Sequence, residues 1–371
     1  MYRHRSAKLP DELLGLSRTL AEVFNHTLQK FDGPQSKLYR LAVKMVQAVT
    51  ESLLSHAWQI QQSLAFFEGT RMTGATLVGG APKLLGRQFA RLYGLNGGNV
   101  IRIAHGGERC FFDDDHWGLS ELPFCHSYCT HGVGEATALE SRIKQKRVVN
   151  PNKRPLSIIP LGSDRHLHIY ERSHESNRKN HRSDKNLRVM FVVGSFLGEA
   201  ASHVPAIKPS DVMLADLGYF VMNQMRSLGY TVLFKPHPKG ALSRTSIYDG
   251  LYDEIVTQPF DPVNDDADVY LFDYAGSAFF DALASNKGVV LIDTHVRPFD
   301  QAMLPALKSR CDIVDTFRDE LNRIRIKDET LKSCIERAAE TNQCPEAFMK
   351  RYFGPAVEAQ SAKLAPDLTH Q

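Results

Sequence analysis

Apolar residues follow two different spacings along the chain. In the first seventy or so residues they recur every three or four positions, the spacing of one face of an α-helix. The segments 12–29 and 37–67 are therefore predicted helices, and we expect their apolar faces to pack into a core. These faces are formed by Leu13, Leu16, Leu20, Val23 and Phe24 in the first helix, and by Leu38, Leu41, Met45, Val49, Leu53 and Trp58 in the second.

From residue 75 onward, short apolar runs alternate with helical segments. Strands are predicted at 75–80, 99–105, 124–130, 189–193, 231–234, 254–257, 269–272 and 289–293, and helices at 82–93, 210–228 and 277–286. Beyond residue 293 the pattern predicts mainly helices. Alternation of this kind is typical of α/β proteins with parallel, doubly wound sheets.

Composition indicates where the chain divides. A length of 371 residues is enough for two domains with full cores. Residues 171–187 are almost entirely polar, which predicts a linker. We expect a helix-rich N-terminal α/β domain over 1–170, a doubly wound α/β domain over 188–345, and a C-terminal helix and tail over 346–371.

Charge and hydropathy exclude some classes of function. The formal net charge is only +3, which argues against a nucleic-acid partner. No apolar run reaches the roughly 18 residues that span a bilayer, and the N-terminus lacks the apolar core of a signal peptide. We therefore expect a cytoplasmic protein. Three basic residues near the C-terminus leave peripheral association with the inner face of the membrane open; they are Lys350, Arg351 and Lys363.

Cysteine, histidine and aspartate clusters raise the question of a metal. Cys125 and Cys129 lie near His126 and His131, but no second clean pair completes a zinc pattern. Free buried thiols are the favoured interpretation of all six cysteines. The three consecutive acids Asp113–Asp115 do not point the same way, so we interpret them as an exposed turn. Asp113 or Asp115 could contact an acceptor substrate. We expect no metal.

The segment that begins at Asp273 predicts an anion site. It reads as the end of a buried strand, a tight turn at Gly276 and Ser277, and a helix that starts on that turn. A helix start offers free backbone N–H groups, which bind phosphates in many α/β proteins. Gly276 lets the backbone approach a ligand closely, and Ser277 can cap the helix while offering its hydroxyl.

A second candidate site ends another predicted strand at Lys235-Pro236-His237-Pro238. The two prolines fix the backbone and push each preceding residue toward an extended conformation. Lys235 can supply a point charge to a phosphate, and His237 can donate to a phosphate oxygen or pack against a ribose or base.

A third candidate site is the turn His105-Gly106-Gly107-Glu108-Arg109, which follows the predicted strand 99–105. His105 or Glu108 could act as the general base on an incoming hydroxyl. Arg109 could bind a phosphate or carboxylate with two parallel hydrogen bonds. A similar His-Gly turn at residues 131–132 is expected to shape the rim of a cleft.

Taken in order, these turns resemble motifs of the GT-B glycosyltransferases of bacterial surface polysaccharides. The group that they resemble contains CDP-glycerol glycerophosphotransferases, polysialyltransferases and Kdo-transferase-like enzymes. The matching stretches are His105-Gly106, Lys235–Pro238, and Asp273-Tyr-Ala-Gly-Ser-Ala-Phe-Phe-Asp281. The resemblance covers roughly residues 75–310.

The resemblance implies two Rossmann-like domains facing a cleft, with a short, helix-rich N-terminal domain in this chain. The C-terminal domain would bind a nucleotide-activated donor. His237 would contact the nucleotide or its phosphate, and Ser277 with the Gly276 backbone would hold phosphate oxygens. His105 would lie across the cleft, near the acceptor or the donor phosphates. No cofactor and no metal are implied.

The chain departs from the group's pattern at two places. Ala275-Gly276-Ser277 stands where the group has a serine pair, and Arg109 stands where CDP-glycerol enzymes tend to have a lysine. The second departure favours sugar transfer over glycerol phosphate transfer.

The sequence thus predicts a glycosyltransferase that moves a sugar from a CMP- or CDP-linked donor onto a surface or capsular polysaccharide. Three alternatives stay open. They are glycerol phosphate transfer from CDP-glycerol, non-hydrolysing epimerisation of a sugar nucleotide, and non-catalytic nucleotide or glycan binding within a polysaccharide-assembly complex. The acidic residues Glu108, Asp113 and Asp115 keep the epimerase alternative open.

Overall fold

A computed structural model describes residues 10–28, 37–65, 70–79, 84–113, 121–145, 155–177, 186–196, 209–238 and 246–355. Contacts between residues divide the chain into two compact units. Unit 1 comprises residues 1–78 and 82–100, and unit 2 comprises residues 79–81 and 101–371. The domain boundaries expected from composition, near residues 170 and 188, remain predictions, as do the roles that the resemblance implies for the two domains. These roles are the acceptor side for residues 1–170 and binding of the nucleotide-activated donor for residues 188–345.

Unit 1 is mostly helical, as its apolar spacing predicts. It contains the helices α1 (Asp11–Leu28), α2 (Lys37–Leu64) and α3 (Leu84–Leu95), the strand β1 (Ala75–Val78), and the start of β2 (Asn99–Ile103). Helices α1 and α2 pack along each other. Both of the long helices predicted from the sequence are therefore confirmed.

The predicted burial of their apolar faces is wrong. Seven of the residues concerned are exposed over 41% to 61% of their surface: Leu16, Leu20, Val23, Leu41, Met45, Val49 and Leu53. Ser17 of α1, by contrast, is fully buried, although it is not one of the apolar residues that define the predicted face. Apolar spacing shows that a helix is amphipathic, but it does not show which face a neighbour covers.

Unit 2 begins with three parallel strands. Strand β2 pairs with β3 (Ser127–Thr130), and β3 pairs with β4 (Ser157–Pro160), so that Ile103, Cys129 and Ile159 lie side by side. Helix α4 (Val133–Lys144) follows β3, and helix α5 (Asp164–Asn177) follows β4.

Helix α5 includes residues 171–177, the first part of the stretch that we predicted to be a linker. Its buried positions His166, Ile169 and Ser173 do recur at helical spacing. Two of the three are polar, so hydrophobicity alone does not reveal the helix. Residues 178–185 of the same stretch lie outside the described residues.

The larger sheet of unit 2 has six strands, all parallel. They are β5 (Arg188–Val192), β6 (Thr231–Lys235), β7 (Glu254–Ile255), β8 (Val269–Phe272), β9 (Gly288–Asp293) and β10 (Asp312–Asp315). The helices of this part are α6 (Asp211–Ser227), α7 (Ser277–Leu283), α8 (Leu304–Lys308), α9 (Asp328–Glu340) and α10 (Glu346–Tyr352). A separate pair of short strands, β11 (Phe317–Arg318) and β12 (Ile324–Arg325), is antiparallel.

Across this sheet the strands run in the order β7-β6-β5-β8-β9-β10. The chain therefore builds outward from β5 in one direction and then outward from β8 in the other, which is the doubly wound order of dinucleotide-binding sheets. The middle strands are apolar on both faces because helices cover both, and Val189, Phe191, Val269 and Leu271 lie in the core. The predicted α/β fold with parallel sheets is confirmed.

The expectation of mainly helices after residue 293 is wrong in part, since β10, β11 and β12 lie there. These strands have only four, two and two residues. Runs this short carry too little alternation to be distinguished from loops. Among the described residues, no helix combines the length and apolar character that crossing a membrane requires.

Candidate functional site

The carboxyl ends of β5 and β8 lie side by side at the centre of the large sheet, and we call the region outside them the crevice. Asp273 directly follows β8 and is buried, and its Oδ1 accepts a hydrogen bond of 2.6 Å from the backbone N–H of Gly194, just beyond β5. This bond joins the two strands at the point where the winding of the sheet reverses. In open α/β sheets, ligands bind outside the carboxyl ends of the strands at this point.

Gly276 and Ser277 lie at this crevice, at the start of α7. Gly276 is the N-cap residue in an extended conformation, and Ser277 is the first helical residue, so the predicted capping role of Ser277 is wrong. Of the described residues, only Tyr274 would meet a Cβ atom added to Gly276, and its ring would lie at an ordinary 3.5 Å. Ser277 is exposed. The backbone of this turn is therefore accessible to a ligand.

Lys235 is the last residue of β6, the strand next to β5. Its side chain is buried, and its Nζ donates to the carbonyl oxygens of Val256, at 3.2 Å, and Gln258. Burial lowers the pKa of Lys235, against an opposing influence of Asp265. The ammonium thus holds the segment that follows β7, and its predicted contact with a phosphate would require those bonds to be exchanged. His237, two residues further on, is half-buried.

The turn after β2 is built differently. His105 is exposed, whereas the next four residues are buried and lead into a short 3-10 helix, Gly107–Phe111. A Cβ atom added to Gly107 would lie 2.0 Å from the ring of Phe280. Because Phe280 belongs to α7, the structure brings two of the predicted turns together: the glycines after β2 pack against the helix that starts at Ser277.

Glu108 is a buried carboxylate with unused hydrogen-bonding capacity. It is 6% exposed, and its Oε2 has no hydrogen-bond partner among the described residues. A Cβ atom added to Gly106 would lie 2.2 Å from that oxygen, so Gly106 leaves room for it. A buried carboxylate oxygen without a partner among the described residues is able to accept a hydrogen bond from a ligand that reaches it.

The Arg109 side chain is also buried. Its Nε is 2.6 Å from Oε1 of Glu121, a fully buried carboxylate that also accepts the hydroxyl of Tyr128. Burial acts to lower the pKa of Arg109, but the charges of Glu121 and Glu108 outweigh it and raise that pKa. The predicted contact of Arg109 with a phosphate or carboxylate ligand would compete with this ion pair.

Asp281 anchors α7 from behind, a role that we did not predict. Its carboxylate accepts hydrogen bonds from Arg165 Nε at 3.0 Å and NH2 at 2.8 Å, and lies 3.1 Å from His166 Nε2. The other ring nitrogen of His166 lies 2.6 Å from the Ser163 hydroxyl. Asp281 occurs in the motif that carries the resemblance, but the sequence does not show that its partners come from α5.

The charges of this anchor are set by burial and by each other. Burial lowers the pKa of His166, against the opposing influence of Asp281. Burial acts to raise the pKa of Asp281, but hydrogen bonds from His166 and Arg165 outweigh it, so the pKa of Asp281 is lowered. Asp281 is therefore a carboxylate held between two basic side chains, and it fixes α7 to α5.

His131 belongs to the second His-Gly turn and faces the same helix. Its ring lies edge-on to the Phe280 ring at 5.3 Å, and its Nδ1 lies 3.2 Å from Oε2 of the buried Glu135. Burial acts to lower the pKa of His131, but Glu135 raises it overall. The His131 side chain therefore packs against Phe280 of α7.

A small cavity of about 30 Å³ lies beside the β8 turn. Its lining includes Phe112, Asp273, Tyr274, Asp293, Arg297 and Phe299. The guanidinium of Arg297 lies 3.8 Å from the centroid of the Phe112 ring, which stacks on Phe299 at 5.2 Å. The space beside the β8 turn, on the side of β9, is thus lined by aromatic and basic side chains.

All six cysteines are free and buried, as predicted. Burial raises the pKa of Cys125 to about 12, which keeps that thiol protonated.

In the acidic turn, Asp114 and Asp115 lie outside the described residues. Among the described residues, Asp293, His295 and Asp315 form a group whose ligand atoms lie within 4.8 Å of one another. The His295 ring nitrogens lie 3.3 Å from Asp293 Oδ2 and 3.1 Å from Asp315 Oδ1.

Comparisons with known proteins give a distant likeness. No family model and no curated protein matches the chain. Similar solved structures include one from a study of glycosyl transfer with retention by trehalose-6-phosphate synthase, at 14% identity and a TM-score of 0.41, covering 82% of this chain and 74% of that one. Another is Thermosulfurimonas dismutans KpsC, a beta Kdo 2,7 transferase, at 12% identity and a TM-score of 0.26, covering 75% and 86%. At such TM-scores the likeness assigns no residue and no substrate.

Proposed function

We propose that the protein is a glycosyltransferase that uses a nucleotide-activated sugar donor. The observation that carries the proposal is the crevice between β5 and β8, where the Gly194–Asp273 hydrogen bond marks the reversal of the winding and the turn at Gly276 is accessible. Sheets with this strand order bind nucleotides at this point. A glycine there lets a phosphate approach the backbone, and Ser277 adds a hydroxyl donor.

The reaction that fits this arrangement is the displacement of a nucleoside phosphate by an acceptor hydroxyl. The acceptor oxygen forms a bond to the anomeric carbon of the donor, and the bond from that carbon to the phosphate oxygen breaks. The hydroxyl proton passes to a base, and the electron pair leaves with the phosphate. Backbone N–H groups at the start of α7, together with His237, would stabilise the charge on the departing phosphate.

Glu108 is the base that we favour. It is buried, its Oε2 lacks a hydrogen-bond partner among the described residues, and its turn packs on the helix that starts at the proposed phosphate site. A carboxylate in such a place can accept the proton of an acceptor hydroxyl within hydrogen-bond reach. His105 is exposed in the same turn and would orient the acceptor or the donor phosphates.

The chemical class of the substrates follows from the resemblance stated above. We propose a CMP- or CDP-linked donor and a surface or capsular polysaccharide acceptor. Arg109 in place of the lysine of CDP-glycerol enzymes favours a sugar over glycerol phosphate as the group transferred.

Isothermal titration calorimetry with CMP, CDP, UDP and GDP tests the proposal. We expect saturable binding of a cytidine nucleotide and weaker binding of the others. If none of the four nucleotides binds, the proposed donor site does not exist.

A second candidate function is epimerisation of a sugar nucleotide, and one observation favours it. Three buried carboxylates lie in or near the turn after β2: Glu108, Glu121 and Glu135. Proton removal from a sugar carbon requires a base, and a carboxylate can serve as one. Incubation with UDP- and CMP-linked sugars without an acceptor, followed by proton NMR, separates the two functions. An epimerised sugar nucleotide would support this alternative, and an unchanged one supports transfer.

A further inference from the structure

Unit 1 carries an apolar face that the other described residues of unit 1 leave exposed. On α1 it consists of Leu16, Leu20 and Val23, and on α2 of Leu41, Met45, Val49 and Leu53. We call these seven residues the helix-pair face. The four residues on α2 are spaced by four positions, so they form a continuous stripe over more than three turns of the helix.

The helix-pair face is as large as the largest apolar patches found on monomeric proteins. Each of its seven side chains is exposed over 41% to 61% of its area. Together they offer on the order of 600 Å² of apolar surface, at the top of the range for the largest patch on a monomer and close to one partner's share of a standard interface, roughly 800 Å².

The charges on the two helices are complementary. Helix α1 has three acidic residues and one basic residue, a net charge of −2 with histidine neutral. Helix α2 has three basic residues and one acidic residue, a net charge of +2. Exposed charges flank the stripe on both helices: Glu12 and Glu22 on α1, and Arg40 and Lys44 on α2.

We propose that the helix-pair face binds the same face of a second copy of this chain. Two pairs of helices, each with an apolar outer face, complete a four-helix bundle. In a two-fold symmetric dimer each surface meets its own copy, so that α1 of one copy can lie against α2 of the other. The opposite net charges then favour this pairing, and the apolar residues of both copies are removed from water. The dimer is independent of the proposed enzymatic function.

Sedimentation equilibrium of the full chain tests the proposal. We expect the wild type to be a dimer at micromolar concentration. The double variant Met45→Glu, Val49→Glu places two charges in the stripe and is expected to be a monomer. The matched control Gln47→Glu adds a charge to an exposed position on the same helix outside the stripe, and it is expected to remain a dimer.

Circular dichroism of the three proteins separates loss of the dimer from loss of folding, because the helical signal of the double variant should equal that of the control. A second test uses the variant Leu53→Asp. It places a charge on the last of the four stripe residues of α2 and should also weaken the dimer. A wild type that stays monomeric at high micromolar concentration overturns the proposal, as does a double variant that is folded and still dimeric. A monomer whose helix-pair face binds vesicles of phosphatidylglycerol would assign the face to a lipid surface and equally overturn it.

Discussion

The turns after β2 and β8 both contain glycine, but their glycines serve opposite purposes. After β2, Gly107 has no room for a side chain, since a Cβ atom would lie 2.0 Å from the Phe280 ring. After β8, Gly276 has room, and a Cβ atom would make only an ordinary contact of 3.5 Å with Tyr274. Glycine is required by packing at the first turn and leaves the backbone accessible at the second.

The side chains of the two turns differ in their exposure to solvent. Glu108 and Arg109 after β2 are each 6% exposed, whereas Ser277 after β8 is exposed. A buried charged turn supplies a fixed acid–base group, and an open turn receives a ligand. In the proposed transferase the first turn therefore provides the base and the second binds the donor phosphate.

Glu108→Gln should have the largest effect, because it keeps the shape of the side chain and removes the proton acceptor. We expect the rate of sugar transfer to fall by roughly 10²- to 10⁴-fold, the usual contribution of a general base. Nucleotide binding should be unchanged, since the nucleotide is assigned to the other turn. Steady-state kinetics and calorimetry on the same preparation measure both quantities. An unaffected transfer rate would remove Glu108 from the chemistry.

Gly107→Ala should destabilise the fold, because the Phe280 ring has to move to admit a methyl group. Overpacking of this kind costs about 1–3 kcal/mol in the free energy of unfolding. Gly276→Ala is the matched control: its φ of −126° suits any residue, so we expect a change within about 0.5 kcal/mol. Urea unfolding measures both variants, and equal losses would contradict the contrast between the two glycines.

The anchor behind α7 should give the stability a pH dependence. Burial lowers the pKa of His166 below its ordinary 6.5, so between these two values the unfolded chain binds more protons than the folded one. The stability that neutral His166 contributes is therefore present above pH 6.5 and is lost as the pH falls through the folded pKa. The slope is at most about 1.4 kcal/mol per pH unit.

His166→Gln should flatten this slope in urea unfolding measured between pH 5 and 8. His131 has the opposite sign. Its pKa is raised, so its contribution is complete below 6.5 and is lost as the pH rises through the folded pKa. His131→Gln should therefore steepen the loss toward low pH. If both variants have the slope of the wild type, these two histidines do not set the pH dependence.

Ser277→Ala should have the smallest effect. The side chain is exposed and is not the helix cap, so stability should not change. Loss of one hydrogen bond to a phosphate should weaken nucleotide binding by roughly 3- to 10-fold. Calorimetric titration of the variant checks this, with thermal unfolding as the control. Unchanged affinity would mean that the donor is held by backbone groups alone.

The sequence predicts the parallel sheets well, because the buried strands β5, β6, β8 and β9 are apolar runs bounded by turn residues. It predicts less well where polar residues face inward. Helix α5 is the example: His166 and Ser173 are buried, and the helix is stabilised by contacts with Asp281 and Phe353, which lie far away in the sequence.

The candidate site is predictable in part for the same reason. Gly276 and Ser277 are found from the local pattern of strand, turn and helix. The contact between Gly107 and Phe280 and the ion pair between Arg109 and Glu121 depend on the packing of separate elements, which no local pattern contains. The apolar faces of α1 and α2 show the converse: the spacing predicts both helices correctly, but seven of the apolar residues that define it are exposed.

The central claim is that a donor nucleotide binds at the crevice between β5 and β8. Its most direct test is calorimetric titration of CMP into the wild type and into Gly276→Val, whose branched side chain would occupy the space over the turn. We predict saturable binding to the wild type and a loss of at least roughly tenfold in affinity for the variant, equivalent to about 1.4 kcal/mol, with thermal stability retained. Equal affinity of the two proteins for CMP would contradict the claim.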